Sequence, residues 1–308
     1  MTTLYYSRAR ERALQKIDKP RAGAWIVVEA PDAKELDALA ADYGLARDGL
    51  EDAVDIYEAP RVEVDDGAVY IYTRYCYPEG KEIATEPLLI VYAQDYVFTI
   101  MRSKTGILDQ LMHGGIDVIT TQKTKLLLQI LAEINRSYSL QMTKLARRIL
   151  QMRAHMRQLQ VATREFVSII ELEEDLNEFL SALQPQALLF RSLLAGKYLR
   201  LYEDDRDIIE DIELGTGELI TQVQGRLRTL VNMRQAYDAI ATTNLNNTFK
   251  RLTSIAIFLT IPTIVGGLWG MNVDLPYEHG HYAFAVVIGV IVVLEVGTIW
   301  FFNRRKWL

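Results

Sequence analysis

The residues of this sequence best suited to chemistry lie in a short polar stretch between two apolar segments. The stretch GGLWGMNVDLPYEHGHY, Gly266–Tyr282, contains the acids Asp274 and Glu278 and the histidines His279 and His281. Imidazole rings suit cobalt, nickel and zinc, so the two histidines could bind a soft metal ion. Two ligands do not complete a metal site, however, and a solvated loop explains the same residues.

A stripe of small residues precedes this stretch on the first apolar segment. Its members follow one another at steps of four, three, four and three, which places them on one helix face. They are Ala256, Thr260, Thr263, Gly267 and Gly270. Tight packing between membrane helices explains such a stripe, and so does the wall of a narrow pore. Asn246 and Asn247 place neutral polar groups just before it.

The two apolar segments, Leu252–Trp269 and Ala283–Phe302, are long enough to cross a membrane. At about 1.5 Å rise per residue, each covers most or all of a hydrocarbon core about 30 Å thick. A buried core helix is the alternative, but helices that are apolar on every face are rare in soluble proteins. Lys250 and Arg251 precede the first segment, and Arg304–Lys306 follow the second. The positive-inside rule therefore predicts a cell (inner or plasma) membrane protein with both termini in the cytoplasm.

The part before the membrane segments changes character near residue 105. Residues 1–105 are rich in proline and in β-branched and aromatic runs, and they predict a cytoplasmic α/β domain. Its expected strands are Trp25–Ala30, Val69–Tyr77 and Pro87–Met101, and its expected helices are Pro31–Tyr43 and Leu45–Tyr57. The N-terminus lacks the apolar core of a signal peptide, which agrees with a cytoplasmic location.

The rest of the chain predicts long helices. Apolar residues recur at helical spacing from Thr120 to Leu201, so residues 106–205 are expected to form a cytoplasmic helical region. Residues 206–270 predict one long helix that includes the first membrane span. Such a helix needs lateral packing to be stable, and oligomerisation would supply it. An external loop (271–282), a second transmembrane helix (283–303) and a basic cytoplasmic tail (304–308) complete this prediction.

Composition argues against several other functions. Cys76 is the single cysteine, which excludes an intrachain disulfide and a multi-thiolate metal site. Gly196-Lys197 lacks a phosphate-binding glycine loop and the 4 histidines form no catalytic grouping, so we expect no enzyme. The soluble part is acidic, and we expect no nucleic-acid partner. Glu295 lies inside the second span, where we favour packing or a shared hydrogen bond over proton coupling.

Four segments of the chain together carry the motifs of one known family of membrane proteins. Gly270-Met271-Asn272 is similar to the family's signature tripeptide at the outer end of the first of two C-terminal membrane helices. NNTFKRLT (Asn246–Thr253) resembles the entrance to the family's pore helix, and RRKWL (Arg304–Leu308) its basic tail. LEDAVDIYEAPRVEVDDGAVYIY (Leu50–Tyr72) resembles a segment of its N-terminal domain. On these segments the chain resembles the CorA family of magnesium and cobalt channels, and the likeness covers it from the α/β domain to the last residue.

The resemblance implies an α+β membrane protein that assembles in lipid as a funnel-shaped homopentamer around one central pore. Five Asn272 side chains would form a ring at the pore mouth and bind the water shell of an incoming Mg²⁺ or Co²⁺ ion. Gly270 and Met271 would complete the mouth, with Asp274 and Glu278 attracting cations. The pore wall would consist of Asn246, Phe249, Leu252, Ala256, Thr260, Thr263 and Gly267. Zinc-transporting relatives usually carry another residue in place of Met271, which favours magnesium or cobalt over Zn²⁺.

Two departures from the family pattern affect this interpretation. Trp269 stands where the family often has tyrosine. Pro262 lies one residue closer to the tripeptide than is usual, which leaves the pore register between Thr260 and Gly267 open.

The resemblance also implies a regulatory cation site in the cytoplasm. Glu51 and Asp52 match the family's acidic pair, and Asp211 aligns with the partner carboxylate of the neighbouring subunit, with Asp207 as a possible substitute. An ordinary solvated acidic face is the alternative. The function expected is uptake of Mg²⁺, driven by the membrane potential and gated by intracellular Mg²⁺. A proton-coupled Zn²⁺ or Co²⁺ transporter of the same fold and a non-conducting membrane-anchored coiled-coil scaffold or sensor stay open as alternatives.

Overall fold

The computed structural model describes residues 1–9, 11–80, 82–156, 163–271 and 281–305. The chain separates into two compact units. The larger unit is formed by Met1–Gln158 and Ala162–Met233, and the smaller contains Arg234–Leu308.

The larger unit contains a 7-stranded sheet with the strand order β2-β1-β3-β7-β6-β5-β4. Strands β3 and β7 pair in parallel, and the other neighbours are antiparallel. The strands are β1 (Thr2–Arg8), β2 (Glu11–Ile17), β3 (Trp25–Glu29), β4 (Arg61–Asp65), β5 (Ala68–Glu79), β6 (Glu82–Tyr92) and β7 (Val97–Met101). The β-branched and aromatic side chains of β3, β5, β6 and β7 fill the core, as their composition predicts.

The single strand expected over Pro87–Met101 is wrong, because the structure has two strands there. Strand β6 ends at Tyr92 and β7 begins at Val97. A tight turn at Gln94 and Asp95 connects them, and the Ala93 amide donates to the Tyr96 carbonyl over 3.0 Å. Polar residues break the apolar run at this turn, which allows the chain to reverse into an antiparallel hairpin.

Two short helices cover one face of the sheet. Helix α1 (Ala33–Tyr43) begins at Asp32 with a capping box formed with Glu35, and it ends at Gly44 in a left-handed conformation, φ 65°. Helix α2 (Arg47–Asp52) is shorter than the expected Leu45–Tyr57. Both helices pack their leucines on the aromatic and aliphatic side chains of the sheet.

Long helices form the rest of the larger unit. They are α4 (Lys123–Met156), α5 (Thr163–Leu194) and the beginning of α6, after a single turn, α3 (Asp109–Met112). Helices α4 and α5 pack on strands β5 and β6. The Tyr138 ring of α4 meets Phe179 of α5 edge-on, with centroids 5.2 Å apart, and Glu178 accepts a 2.7 Å hydrogen bond from the Thr85 amide. The ring contact joins the two helices, and the hydrogen bond holds β6 against α5.

Helix α6 (Glu203–Trp269, 67 residues) and α7 (Ala283–Arg304, 22 residues) are both long and apolar enough to cross a membrane. The apolar window of α6 is 11% buried and that of α7 is 0% buried. A core helix of a soluble protein would be mostly buried, so the exposure of these apolar surfaces supports the membrane interpretation.

Candidate ion pathway and regulatory site

Helices α6 and α7 pack against each other along one face of each. On α6 the less exposed positions of this contact are Ser254, Ile257, Phe258, Ile261, Val265 and Trp269. On α7 they are Ala283, Val287, Ile291, Glu295, Thr298 and Phe302. The rings of Phe258 and Phe302 meet with centroids 5.9 Å apart and an interplanar angle of 77°. Together with the less exposed positions on both helices, this contact indicates an antiparallel pair. We call this contact the α6–α7 seam.

The small-residue stripe lies on the opposite face of α6 from the seam. At about 100° per residue, Ala256, Thr260, Thr263, Gly267 and Gly270 fall around one line, and the seam falls on the other side of the helix. All five are exposed, as are Phe249 and Leu252, which continue the same line toward the start of the helix. No described residue of the chain covers this stripe.

The structure therefore brings most of the expected pore residues onto one free face. Asn246 and Met271 are exposed and lie at the edge of this face. Asn272, Asp274 and Glu278 lie outside the described residues. Helix α6 continues through Pro262, and the stripe continues on both sides of it.

The only polar side chains of the stripe, Thr260 and Thr263, present oxygen acceptors. The Thr260 hydroxyl donates to the Ala256 carbonyl over 2.7 Å, and that of Thr263 donates to the Leu259 carbonyl over 2.8 Å. Because each hydroxyl proton is used within the helix, each oxygen keeps lone pairs to accept other hydrogen bonds. The water shell of a cation directs its hydrogens outward and can donate to such oxygens.

The acidic pair Glu51 and Asp52 is positioned by close packing of α2 on β5. The Tyr72 hydroxyl donates to the Gly49 carbonyl over 3.1 Å, and burial raises the pKa of this tyrosine. The Ala46 amide donates to the Tyr70 hydroxyl over 2.9 Å. A Cβ atom at Gly49 would lie 2.8 Å from the Tyr72 hydroxyl oxygen, which is closer than real contacts allow. A glycine at this position is therefore required for α2 to approach the sheet.

Each acid of the pair forms an ion pair with an arginine of its own chain. Arg47 Nη2 lies 3.0 Å from Glu51 Oε1, and Arg61 Nη2 lies 2.7 Å from Asp52 Oδ2. The two carboxylates are 62% and 43% exposed, so water screens both pairs. Neither arginine was predicted from the sequence as a partner of these acids. Arg47 could have been found, since it precedes Glu51 by one helical turn.

A single chain does not assemble the expected regulatory site. Within the described residues, no three histidine, cysteine, aspartate or glutamate side chains are grouped closely enough to hold a metal ion. Asp207 and Asp211 are exposed on one face of α6 and are not grouped with Glu51 and Asp52. A cation site that uses all three predicted carboxylates therefore requires a second subunit, and it stays a prediction.

Comparison with known protein families identifies the chain. Residues 21–305 match the family model described as "CorA-like Mg2+ transporter protein". This chain belongs to the CorA-like family. The match covers the α/β domain, the long helices and both candidate membrane helices, which confirms the resemblance drawn from the sequence.

Two curated relatives carry different metals in their names. The cobalt/magnesium transport protein CorA of Methanocaldococcus jannaschii is 27% identical over 92% of this chain and 91% of its own length. The zinc transport protein ZntB of Klebsiella pneumoniae is 25% identical over 46% of this chain and 49% of its own.

Solved structures of the CorA fold agree with the architecture. The complete CorA magnesium transporter from M. jannaschii superposes with a TM-score of 0.87 at 24% identity, covering 100% of this chain and 99% of that one. The full-length CmaX protein gives 0.76 at 16% identity, covering 99% and 97%. The expected α/β domain, long helices and two C-terminal membrane helices are thus confirmed as a CorA fold. The homopentamer stays a prediction.

Proposed function

We propose that this CorA-family chain is a membrane channel for Mg²⁺, with Co²⁺ as a second cargo. The observation that carries the proposal is the exposed, uncharged stripe on α6, which lies opposite the α6–α7 seam on a helix apolar enough to span a membrane. An exposed face of small side chains, on a helix whose other side is already packed, fits the wall of a shared pore.

Neutral oxygen atoms suit this cargo. Magnesium loses its water reluctantly, so a pore that accepts hydrogen bonds from the ion's water shell avoids the cost of stripping it. The threonine hydroxyls of the stripe and the amides of Asn272 and Asn246 supply such acceptors without a fixed charge that would hold a dication in place. The chemistry requires no nucleotide or enzymatic step.

The membrane potential is a sufficient driving force. One charge gains about 2.3 kcal/mol per 100 mV, so a dication entering the cytoplasm gains about 4.6 kcal/mol. This free energy corresponds to roughly a thousandfold accumulation. We place both termini in the cytoplasm, so that the predicted external loop (271–282) would lie outside, where Asp274 and Glu278 would raise the local cation concentration at the mouth.

A homopentamer would complete the pore and the regulatory site together. Five α6 stripes would face one axis and five α7 helices would face lipid, which gives α6 the lateral partners that a helix of 67 residues needs. Neighbouring subunits would also bring Asp211 to Glu51 and Asp52, where internal Mg²⁺ would hold the channel closed. A bound ion there must compete with Arg47 and Arg61 for the same carboxylates.

Magnesium and cobalt are favoured over zinc by the comparisons and by the tripeptide. The relative named for cobalt and magnesium matches over nearly the whole chain, whereas the one named for zinc matches over less than half. Met271 in the tripeptide favours the same choice. The second candidate is a proton-coupled Zn²⁺ or Co²⁺ transporter, and the acid Glu295 inside α7 is the feature that favours it.

The test is Mg²⁺ uptake by liposomes that contain the purified protein. Asn272→Ala should abolish or sharply reduce uptake while leaving assembly intact, because the proposal assigns this amide to the pore mouth and not to a packing contact. Asn303→Ala, at the other end of the membrane pair on α7, serves as the matched control and should conduct like the wild type. Wild-type uptake through assembled Asn272→Ala would contradict the proposal. Zinc uptake that needs a proton gradient would favour the second candidate, and the absence of any flux would favour the scaffold.

A further inference from the structure

Two polar groups on the α6–α7 seam have no hydrogen-bonding partner among the described residues. The indole Nε1 of Trp269 is buried and unpaired at the outer end of α6. The carboxyl of Glu295 is half-buried on the seam face of α7 and makes no hydrogen bond or ion pair with any described residue. The first is an obligate donor and the second is an acceptor in either protonation state.

The register of the seam places these two groups near each other. Phe258 and Phe302 are in contact, and two helical turns from them Val265 of α6 is level with Glu295 of α7. Trp269 lies one turn beyond Val265, an axial offset of about 6 Å. Side chains tilt toward the N-terminus of their own helix. In an antiparallel pair, the indole of Trp269 therefore tilts toward Glu295, and the carboxyl of Glu295 tilts toward Trp269.

The membrane makes a bond between the two groups favourable. A buried N–H without a partner is costly where no water can replace it, and a carboxyl inside a span needs a partner as well. The other α6 residues of the seam are Ser254, Ile257, Phe258, Ile261 and Val265, and none is titratable or charged. Ser254 already donates to the Lys250 carbonyl. Glu295 and Trp269 are thus the best available partners for each other.

We propose that the Trp269 indole N–H donates to the Glu295 carboxyl across the seam. The bond ties α7 to the residue directly before Gly270-Met271-Asn272 and so fixes the orientation of the pore mouth. Glu295 is then a positioning residue and carries no proton through the membrane. The bond itself is independent of the proposed function, and only its expected effect on flux rests on that function.

The direct test is NMR of the ¹⁵N-labelled indole groups in the assembled protein in lipid nanodiscs. The Trp269 signal is assigned as the one that disappears in Trp269→Phe. Glu295→Leu should shift this signal upfield, as a lost hydrogen bond does, whereas Glu295→Gln should keep it near its original position. The exposed Trp300 on α7 provides the internal control, since its signal should not move. A Trp269 signal that is the same in Glu295→Leu and in the wild type would overturn the proposal.

A flux measurement tests the positioning role separately. Trp269→Phe and Glu295→Leu should each lower Mg²⁺ uptake about threefold to tenfold, the size expected for one interhelical hydrogen bond. The double variant should lose no more than either single variant, because both remove the same bond. Glu295→Gln should restore uptake, and Trp300→Phe should leave it unchanged. Additive losses would refute the pairing. If Asn272→Ala still conducts while the indole signal shifts as expected, the proposed function fails and the bond stands.

Discussion

The ion pair between Asp52 and Arg61 predicts how strongly internal Mg²⁺ closes the proposed channel. Arg61 contacts three carboxylates, with Nη2 2.7 Å from Asp52, Nε 2.8 Å from Glu63, and Nη1 against Glu58. Its guanidinium also lies 3.9 Å from the centre of the Tyr72 ring. The proposed regulatory cation at Asp52 would compete with this arginine, so Arg61→Gln should raise the affinity for internal Mg²⁺.

The size of the effect follows from the exposure of the pair. The Arg61 side chain is 32% exposed and that of Asp52 is 43% exposed, so the ion pair is partly screened and contributes about 0.2 to 1 kcal/mol. Removing this competition should lower the half-inhibitory Mg²⁺ concentration about 1.4-fold to fivefold. The loss of one positive charge among three carboxylates acts in the same direction, so the upper half of this range is expected.

The assay is initial Mg²⁺ flux into liposomes whose internal Mg²⁺ is fixed at a series of concentrations. Arg191→Gln is the matched control, because Arg191 pairs with Glu213 at 2.8 Å and contacts neither acid of the regulatory pair. Its half-inhibitory concentration should equal that of the wild type. A higher or unchanged value for Arg61→Gln, with assembly intact, would refute the view that Arg61 competes with the regulatory cation.

Three further predictions follow from the stripe, the acidic pair and the buried thiol. Thr260→Val and Thr263→Val keep the side-chain shape but remove the oxygen acceptors, so each should reduce Mg²⁺ flux severalfold. Serine at either position should restore the flux. Unchanged flux in both valine variants would exclude the stripe as the pore wall. The double variant Asp52→Ala/Asp211→Ala should weaken inhibition by internal Mg²⁺, and inhibition at the wild-type concentration would remove these residues from the sensor. Burial raises the pKa of the Cys76 thiol, so a maleimide at neutral pH should label it only after denaturation, and rapid native labelling would show that the thiol is accessible.

The membrane helices and most of the sheet could be predicted from sequence because their patterns are strong and local. Two long apolar runs are sufficient to predict the membrane spans in α6 and α7, and the β-branched and aromatic runs at β3 and β5 are sufficient to predict strands. Strands β1 and β2 were missed, and in β2 (Glu11–Ile17) charged residues mask the alternation. They pair at the edge of the sheet, where a strand can be polar on its outer side.

The candidate sites were predictable only in part. Helical spacing alone is sufficient to predict the stripe, so the residues from Ala256 to Gly270 could be placed on one helix face from the sequence. The ion pair of Asp52 with Arg61 joins residues on α2 and β4, and no local pattern indicates such a contact. The expected contact of Asp211 with Glu51 and Asp52 is between two subunits. It therefore cannot be read from one sequence or from the structure of one chain.

The glycine at position 49 makes the proposed sensor vulnerable to a change at a residue that binds no ion. A Cβ atom there would lie 2.8 Å from the Tyr72 hydroxyl, so even alanine forces either the buried Tyr72 ring or α2, and with it Glu51 and Asp52, to shift. A genetic selection for cells that keep importing magnesium when they are already replete should therefore recover substitutions at Gly49 as well as at the acids. Such alleles would change none of the proposed Mg²⁺ ligands, although they would weaken the proposed inhibition of uptake by internal Mg²⁺.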